Sequence, residues 1–383
     1  MRKTLSVCLV VRNEARQIVD CMESIKVVAD EIVVVDTGSA DNTVGLVTEW
    51  GRRNGALSAM KILPVGNRFH DSDGDFDFGA AKTFAFQNAT KDYVMWIDAT
   101  DRISDQIMLK RRFIEVTFAK DVIITIPTRT PSGHAFNRLR IAQRDKSTMV
   151  GRIHEYMWVS DITGLSRIHI NVPIDNDKST RDLSRNLRLL KKEFDREPSA
   201  RNAFYLGNTC FGMRKYDEAI EWFRKRVYSY EWADEYAEEY YKSLECIADS
   251  TLKLIASNTS SGTISLSDVF DISNEMIRRE PTRVEGYYYL GLYHMERKQF
   301  DKAIESFRNY TTCRIPKDVK LWLDPNIYGG KAVIRMIERC RLEQQLDKPL
   351  IPDAILDYGP SVGDRSYQQG SSQYEVGGGK TVF

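Results

Sequence analysis

Short apolar runs alternating with helical ones constrain the first third of this chain more than any other feature. Residues 5–11, 31–35, 60–65, 93–98 and 122–126 read as strands, the first of them buried. Between them, residues 15–26 place Ile18, Cys21, Met22 and Ile25 on one helical face, and further helical runs start near Thr43 and cover 80–88. That order predicts an α/β fold whose mainly parallel strands are joined by crossover helices. In such sheets a ligand sits beyond the carboxyl ends of the strands. Arg12, Asn13, Glu14, Asp36 and Asp98 all fall at those ends.

From about Asp182 the pattern changes to long, polar-faced helices rich in Tyr, Trp and Leu, and the chain repeats itself. Leu206, Gly207, Ala219 and Phe223 match Leu290, Gly291, Ala303 and Phe307 at a constant offset of 84 residues. A tetratricopeptide unit is about 34 residues, so the offset is two units with a surplus for which the loop at 257–262 is the natural place. Glycine and alanine at these points let two antiparallel helices approach closely, while Leu206 and Phe223 fill between them. Such stacks bind peptides or proteins on a concave face, or dimerise. The expected domains are therefore 1–180, an all-α domain over 181–345, and a flexible tail over 346–383 that lacks the periodicity of a core.

Charge and cysteine usage exclude several classes. With 55 Lys plus Arg against 54 Asp plus Glu, the formal charge is +1, so no global basic field gathers nucleic acid or an anionic membrane. No apolar run approaches the roughly 20 residues that span a bilayer. The six cysteines are scattered without metal-site spacing and read as reduced and mostly buried. The basic, apolar N-terminus is interrupted by Arg12, Asn13 and Glu14 too early for a signal peptide, which points to the cytoplasm.

The residues that could carry chemistry cluster in five stretches. Residues 10–14, 32–43 and 96–101 resemble the three nucleotide-sugar signatures of the family 2 glycosyltransferases of GT-A fold. Residues 76–82 and 151–155 resemble the branch of that family with tetratricopeptide-like helices behind the catalytic domain, which includes bacteriocin peptide S-glycosyltransferases and lipopolysaccharide-core sugar transferases. The resemblance covers about residues 4–310. It implies a GT-A nucleotide-sugar-binding domain followed by helices. It also implies inverting transfer of a sugar, from a UDP-sugar by expectation, to a peptide, protein or glycan. The helices would recognise the acceptor or a second copy of the chain.

Such transfer needs the nucleoside held, the diphosphate neutralised and a base near the acceptor. Asp36 is placed to accept hydrogen bonds from uracil or ribose, or else it caps its own turn. Arg12, Asn13 and Glu14 would frame the same nucleoside, although Glu14 also suits the first turn of a helix. Asp98 ends a buried strand, where a carboxylate is costly unless it meets a cation. By resemblance that cation is Mn²⁺ or Mg²⁺, held by Asp98, Asp101 and His154. Thr100 stands where many relatives have a second Asp. Either Asp101 reaches the metal, or Asp98 binds sugar hydroxyls and the metal is weakly held or absent. Lys82 stands where relatives have Arg, to meet the diphosphate or pair with Asp77. Glu155 is the expected general base, with Asp101 and Asp77 as the other candidates.

Two other readings compete: a scaffold that binds nucleotide without turnover, and a glycosyltransferase acting on hydroxylated DNA bases. The latter would use Lys110 to Arg112, Arg138 to Arg140 and the 185–192 stretch on phosphates, and the neutral net charge disfavours it. Residues 70–75 mimic a calcium loop, but Phe76 replaces its glycine and Lys82 its final glutamate, leaving an acidic loop expected to be mobile at the rim of the site.

Overall fold

The structure is a computed structural model and describes residues 2–118, 120–129, 135–176, 182–229, 237–258, 265–313, 325–328 and 330–346. The chain divides into two units, the second beginning at Asp182. The tail expected beyond 346 lies outside the described residues.

In the first unit the elements run β1 (Leu5–Val11), α1 (Ile18–Ile25), β2 (Glu31–Asp36), α2 (Thr43–Arg53), β3 (Met60–Pro64), α3 (Phe78–Asn88), β4 (Tyr93–Trp96), β5 (Asp101–Ile103) and α4 (Gln106–Phe118). There follow β6 (Val122–Arg129), β7 (Ala135–Gln143), β8 (Ser147–Val150), β9 (Tyr156–Val159), β10 (Ser166–His169) and β11 (Ile174–Asn176). The main sheet has the order β3-β2-β1-β4-β7-β6-β11-β5, with β10 beside β6. β1 pairs in parallel with both β2 and β4, whereas β7 runs antiparallel to β4 and β6. The chain winds outward from β1 to β3 and then returns to β4 on the other side of β1. That reversal opens a crevice at the carboxyl ends of β1 and β4.

Strand parity decides what faces that crevice. Leu5, Val7, Leu9, Ile32, Val34, Tyr93 and Met95 belong to one core, on the side of α1, α2 and α4. Cys8, Val33, Val35, Val94, Trp96 and Ala142 belong to the other, together with Ala85 and Phe86 of α3. The β6–β7 register shifts at Arg140, between Leu139 and Ile141, and Arg138 and Arg140 both come to lie beside the Trp96 ring. All six cysteines are thiols, and five of them are buried.

The second unit contains α5 (Leu183–Arg196), α6 (Ala200–Gly212), α7 (Tyr216–Tyr228), α8 (Ala237–Ala256), α9 (Leu266–Arg279), α10 (Val284–Glu296), α11 (Phe300–Tyr310), α12 (Pro325–Tyr328) and α13 (Lys331–Leu346). The 84-residue echo is a packing echo. A Cβ on Gly207 would lie 2.6 Å from the Phe223 ring, and one on Gly291 would lie 2.3 Å from the Phe307 ring. Consecutive antiparallel helices in contact, two of the hairpins sharing this glycine-on-phenylalanine joint, make the unit tetratricopeptide-like. Most of the loop expected to absorb the surplus, 259–262, is outside the described residues. Part of that surplus is visible in α8, which is 20 residues long.

Candidate active site

α3 carries Lys82 into the crevice, and its ammonium is the hub of the site. Lys82 Nζ donates to Asp98 Oδ1 and to Glu155 Oε1, each at 2.8 Å. The same nitrogen lies 4.2 Å from the centre of the Trp96 ring. Burial opposes a charged lysine here, but the two carboxylates outweigh it and hold the ammonium above its ordinary pKa. Asp98 is the more open partner, with 31% of its side chain exposed against 15% for Glu155. Asp77 does not pair with Lys82; its Oδ1 caps α3 by accepting from Ala80 N at 2.8 Å.

The approach of Glu155 depends on one glycine. The start of α3 lies against the β8–β9 connection, with Phe78 N donating to Arg152 O at 3.0 Å. A Cβ on Gly79 would come within 2.4 Å of Gly151 O. The connection then turns through Gly151 (φ 93°) and His154 (φ 56°) to bring in Glu155. The two stretches that resembled the helical branch of the family are thus two sides of one contact.

Behind Lys82 lies a second, fully buried pair. Arg140 Nη1 donates to Asp101 Oδ2 at 2.9 Å, and neither side chain is exposed. Asp101 also accepts from Asn176 Nδ2 at 2.6 Å and from Asp98 N at 3.1 Å. The expectation that Asp101 acts as base or metal ligand is therefore corrected: its oxygens are consumed by Arg140, Asn176 and the Asp98 turn. Arg140 Cζ stacks 3.8 Å from the centre of the Trp96 ring, and Arg138 Cζ is 5.5 Å from it. Burial first, then the Arg140 charge, push Arg138 down to about 10, while Asp98, Asp101 and Glu155 oppose the shift. It remains a cation at neutral pH. The sequence reading named these two arginines only in the disfavoured nucleic-acid alternative.

The β1–β2 end of the crevice, where the sequence reading expected the nucleoside, is built from loops that bond to one another. Asp36 stands opposite Val11 at the carboxyl end of β2, two strand spacings, about 10 Å, from the line of β4 and Asp98. Its oxygens accept from Gly38 N at 3.3 Å, from Ser39 N at 3.2 Å and from Ser39 Oγ at 2.5 Å. The structure thus shows the turn-capping alternative for Asp36. Asn13, at φ 56°, accepts from Ala40 N at 2.7 Å, and its own N–H donates to Ser39 Oγ at 3.0 Å. Glu14 N donates to Thr43 Oγ1 at 2.8 Å, while the Glu14 carboxylate accepts from Gln17. Arg12 Nη1 lies 2.9 Å from His70 Nε2, which ties this end to the acidic loop. That loop is itself anchored. Asp71 accepts from Asp73 N and Asp75 N at 2.9 and 2.8 Å, and it pairs with Arg152 at 2.9 Å.

A divalent cation needs converging anionic donors, and the expected set does not supply them. Among the described residues, the one group of three ligating side chains brought together is Asp71, Asp73 and Asp75. Asp98, Asp101 and His154 form no such group. Asp101 is neutralised by Arg140, Thr100 has no charge, and Asp98 holds Lys82. The residues at the crevice therefore do not fit the metal.

A mainly parallel sheet that reverses direction at β1 and β4, with paired carboxylates and cations at its strand ends, is a sheet of the GT-A kind. Residues 6–220 match the model of glycosyl transferase family 2, and the chain belongs to that family. It is 23% identical over 241 residues to the SPbeta prophage-derived glycosyltransferase SunS of Bacillus subtilis, covering 59% of this chain and 54% of SunS. It is 34% identical over 99 residues to a TPR repeat-containing protein of Synechococcus elongatus, covering 26% of this chain and 21% of that protein. The chain thus spans about half, or less, of the length of these curated relatives. Among solved structures, the mannosyltransferase PcManGT from Pyrobaculum calidifontis, in complex with GDP-Man and Mn²⁺, aligns with a TM-score of 0.38 at 14% identity, covering 81% of this chain and 88% of that one. No helix among the described residues is long and apolar enough to cross a membrane.

Proposed function

We propose that the chain transfers a sugar from a nucleoside diphosphate sugar, a UDP-sugar as the family resemblance implies, to a nucleophilic acceptor in one inverting displacement. The observation that carries this is the Asp98–Lys82–Glu155 bridge at the mouth of the strand-end crevice. Glu155 Oε1 takes the acceptor's proton as the nucleophile bonds to the anomeric carbon. The carbon–oxygen bond to the diphosphate breaks, and its electron pair leaves with the nucleotide. Asp98, the more exposed carboxylate, accepts from sugar hydroxyls. The turn built by Asp36, Ser39 and Asn13 seats the nucleoside, so Asp36 acts as a positioning residue. SunS, a glycosyltransferase, supports this reading. The helical unit presents a peptide, protein or glycan acceptor, or pairs with a second copy.

Two measurements test it. UDP should raise the melting temperature in proportion to ln(1 + [UDP]/Kd). Glu155→Gln should keep that shift while slowing hydrolysis of a UDP-sugar by about 10²–10⁴-fold, the usual worth of a positioned base. Absence of a shift with UDP, GDP and dTDP alike would remove the proposal.

A further inference from the structure

Two loops that leave the sheet at neighbouring strand ends must keep a fixed spacing if the nucleoside and the sugar of one donor are to be held together. The β1–β4 ladder does not set that spacing. Its register ends with Cys8 opposite Trp96, and after Ile97 N, which donates to Cys8 O at 3.1 Å, the chain turns away through residues 98–101. β1 runs on to Val11 and passes into the loop of Asn13 and Glu14 that precedes α1. Arg102, on β5, spans the gap between the two. Its Nη1 donates to Ala99 O and Asp101 O, each at 2.8 Å, and its Nη2 donates to Gln17 O at 2.7 Å. Gln17 N in turn donates to Glu14 O at 3.0 Å, and the Gln17 side chain donates to the Glu14 carboxylate.

The 98–101 turn is gripped from its other side as well. Asp98 N donates to Asp101 Oδ2 at 3.1 Å, while Asp98 O accepts from Asp101 N at 2.9 Å and from Cys21 Sγ at 3.4 Å. Asp98 therefore meets Lys82 from a main chain whose carbonyls at 98, 99 and 101 are all engaged. The one carboxylate paired with Arg102, Asp20, lies 3.6 Å away and is 75% exposed, so water screens that pair and the guanidinium acts chiefly on carbonyls. Its rigid fork carries donors to both loops at once, which the single nitrogen of a lysine does not.

Resting on the glycosyltransferase reading above, we infer that Arg102 is a positioning residue: it locks the Asp98 turn to the start of α1, so that the sugar meets Asp98 and Glu155 in register with the nucleoside. This role keeps Asp98, Lys82 and Glu155 bonded as they stand, and Arg102 acts on the donor only through the Asp98 main chain. Without Arg102 the nucleoside loops retain their own bonds, Asn13 to Ser39 and Ala40 and Glu14 to Thr43. The chemical step should then suffer while nucleotide binding does not.

Hydrolysis of UDP-glucose, UDP-N-acetylglucosamine, GDP-mannose and dTDP-glucose by the full chain selects the donor, and calorimetry with the matching nucleoside diphosphate gives its Kd. Arg102→Gln should lower kcat by about 10–100-fold, the cost of misplacing a reacting group by about 1 Å, while the Kd moves less than about threefold. Arg102→Lys, which keeps the charge without the fork, should stay within about threefold of Arg102→Gln in kcat. In an Asp98→Asn background, Arg102→Gln should lower kcat by less than about threefold, because the carboxylate it places is already gone. A merely structural arginine would instead lower kcat by one factor in both backgrounds. Melting of the unliganded variants separates misfolding from misplacement; should Arg102→Gln not fold, Arg102→Lys carries the same comparisons. An unchanged kcat, equal factors in both backgrounds, or equal losses in kcat and nucleotide affinity overturn the inference and leave the glycosyltransferase reading intact. A wild-type chain that hydrolyses no donor and binds neither UDP, GDP nor dTDP overturns both.

Discussion

Asp101 and Arg140 illustrate how a single side chain changes meaning once its surroundings are known. An aspartate one residue past Thr100 reads as a ligand or base, yet both Asp101 and Arg140 have no exposed side-chain surface. Removing one member of such a pair strands a buried charge, at a cost of about 3–5 kcal/mol. Asp101→Ala and Arg140→Ala should each lower stability by that order in denaturant unfolding, and the double variant should fall short of their sum. Near-native stability of Asp101→Ala would show the pair to be dispensable. Glu31 gives a pH-dependent counterpart at the opposite end of β2. It accepts from Ser6 Oγ, Thr90 N and Thr90 Oγ1 at 2.5, 2.7 and 2.9 Å. Burial pushes its carboxyl up, but these bonds and the Lys61 charge outweigh burial and hold it below the ordinary range. A carboxyl whose pKa is lower folded than unfolded stabilises the fold above its unfolded value, about 4.3, and loses that contribution as pH falls. The stability gap between wild type and Glu31→Gln should be about 1–3 kcal/mol at neutral pH and close progressively below about pH 4.3. A gap that is constant from neutral to acid pH would refute this.

At the scale of elements, the alternation of strands and helices was legible because apolar runs and 3.6-residue spacing report burial directly. β1 begins and ends where the apolar run does, and α2 starts at Thr43 as expected. β5 and the strands after β6 were less legible. β7, β10 and β11 make non-local pairings, and no periodicity within a strand says which neighbour it will choose. The junction of α3 with the β8–β9 connection was visible only as two separate motifs. Its physical content is Gly79. Replacing Gly79 with Ala puts a Cβ where Gly151 O already stands, so the connection must move and Glu155 with it. The expected outcome is a loss of about 1–3 kcal/mol in stability. On the proposed function, turnover of a UDP-sugar should fall further than UDP affinity, because Glu155 moves while the turn of Asp36 and Ser39 does not. Equal losses in kcat and in UDP affinity would place the damage elsewhere.

For the molecule as a whole, near-zero net charge argued against nucleic acid, and the structure gives that argument its particulars. Each basic cluster that sequence reading singled out has intramolecular work. Lys110 donates to Val28 O and Asp30 at 2.8 and 2.7 Å, and Arg111 and Arg112 both pair with Glu115, at 2.9 and 2.8 Å. Arg140 is locked to Asp101, and Lys191 lies 3.6 Å from Glu218. A protein binds DNA by releasing counterions from phosphates, one for each cation it commits, and cations already paired with carboxylates must first be freed. Binding to duplex DNA at physiological salt should therefore be no tighter than the non-specific range of about 10⁻⁴–10⁻⁶ M, with a shallow dependence on salt. A mobility shift at nanomolar protein, or a log–log salt slope steeper than about −5, would instead mean that these pairs open onto phosphate. It would also restore a modified DNA base as the acceptor, because catalytic positioning of a base requires the flanking backbone to be held.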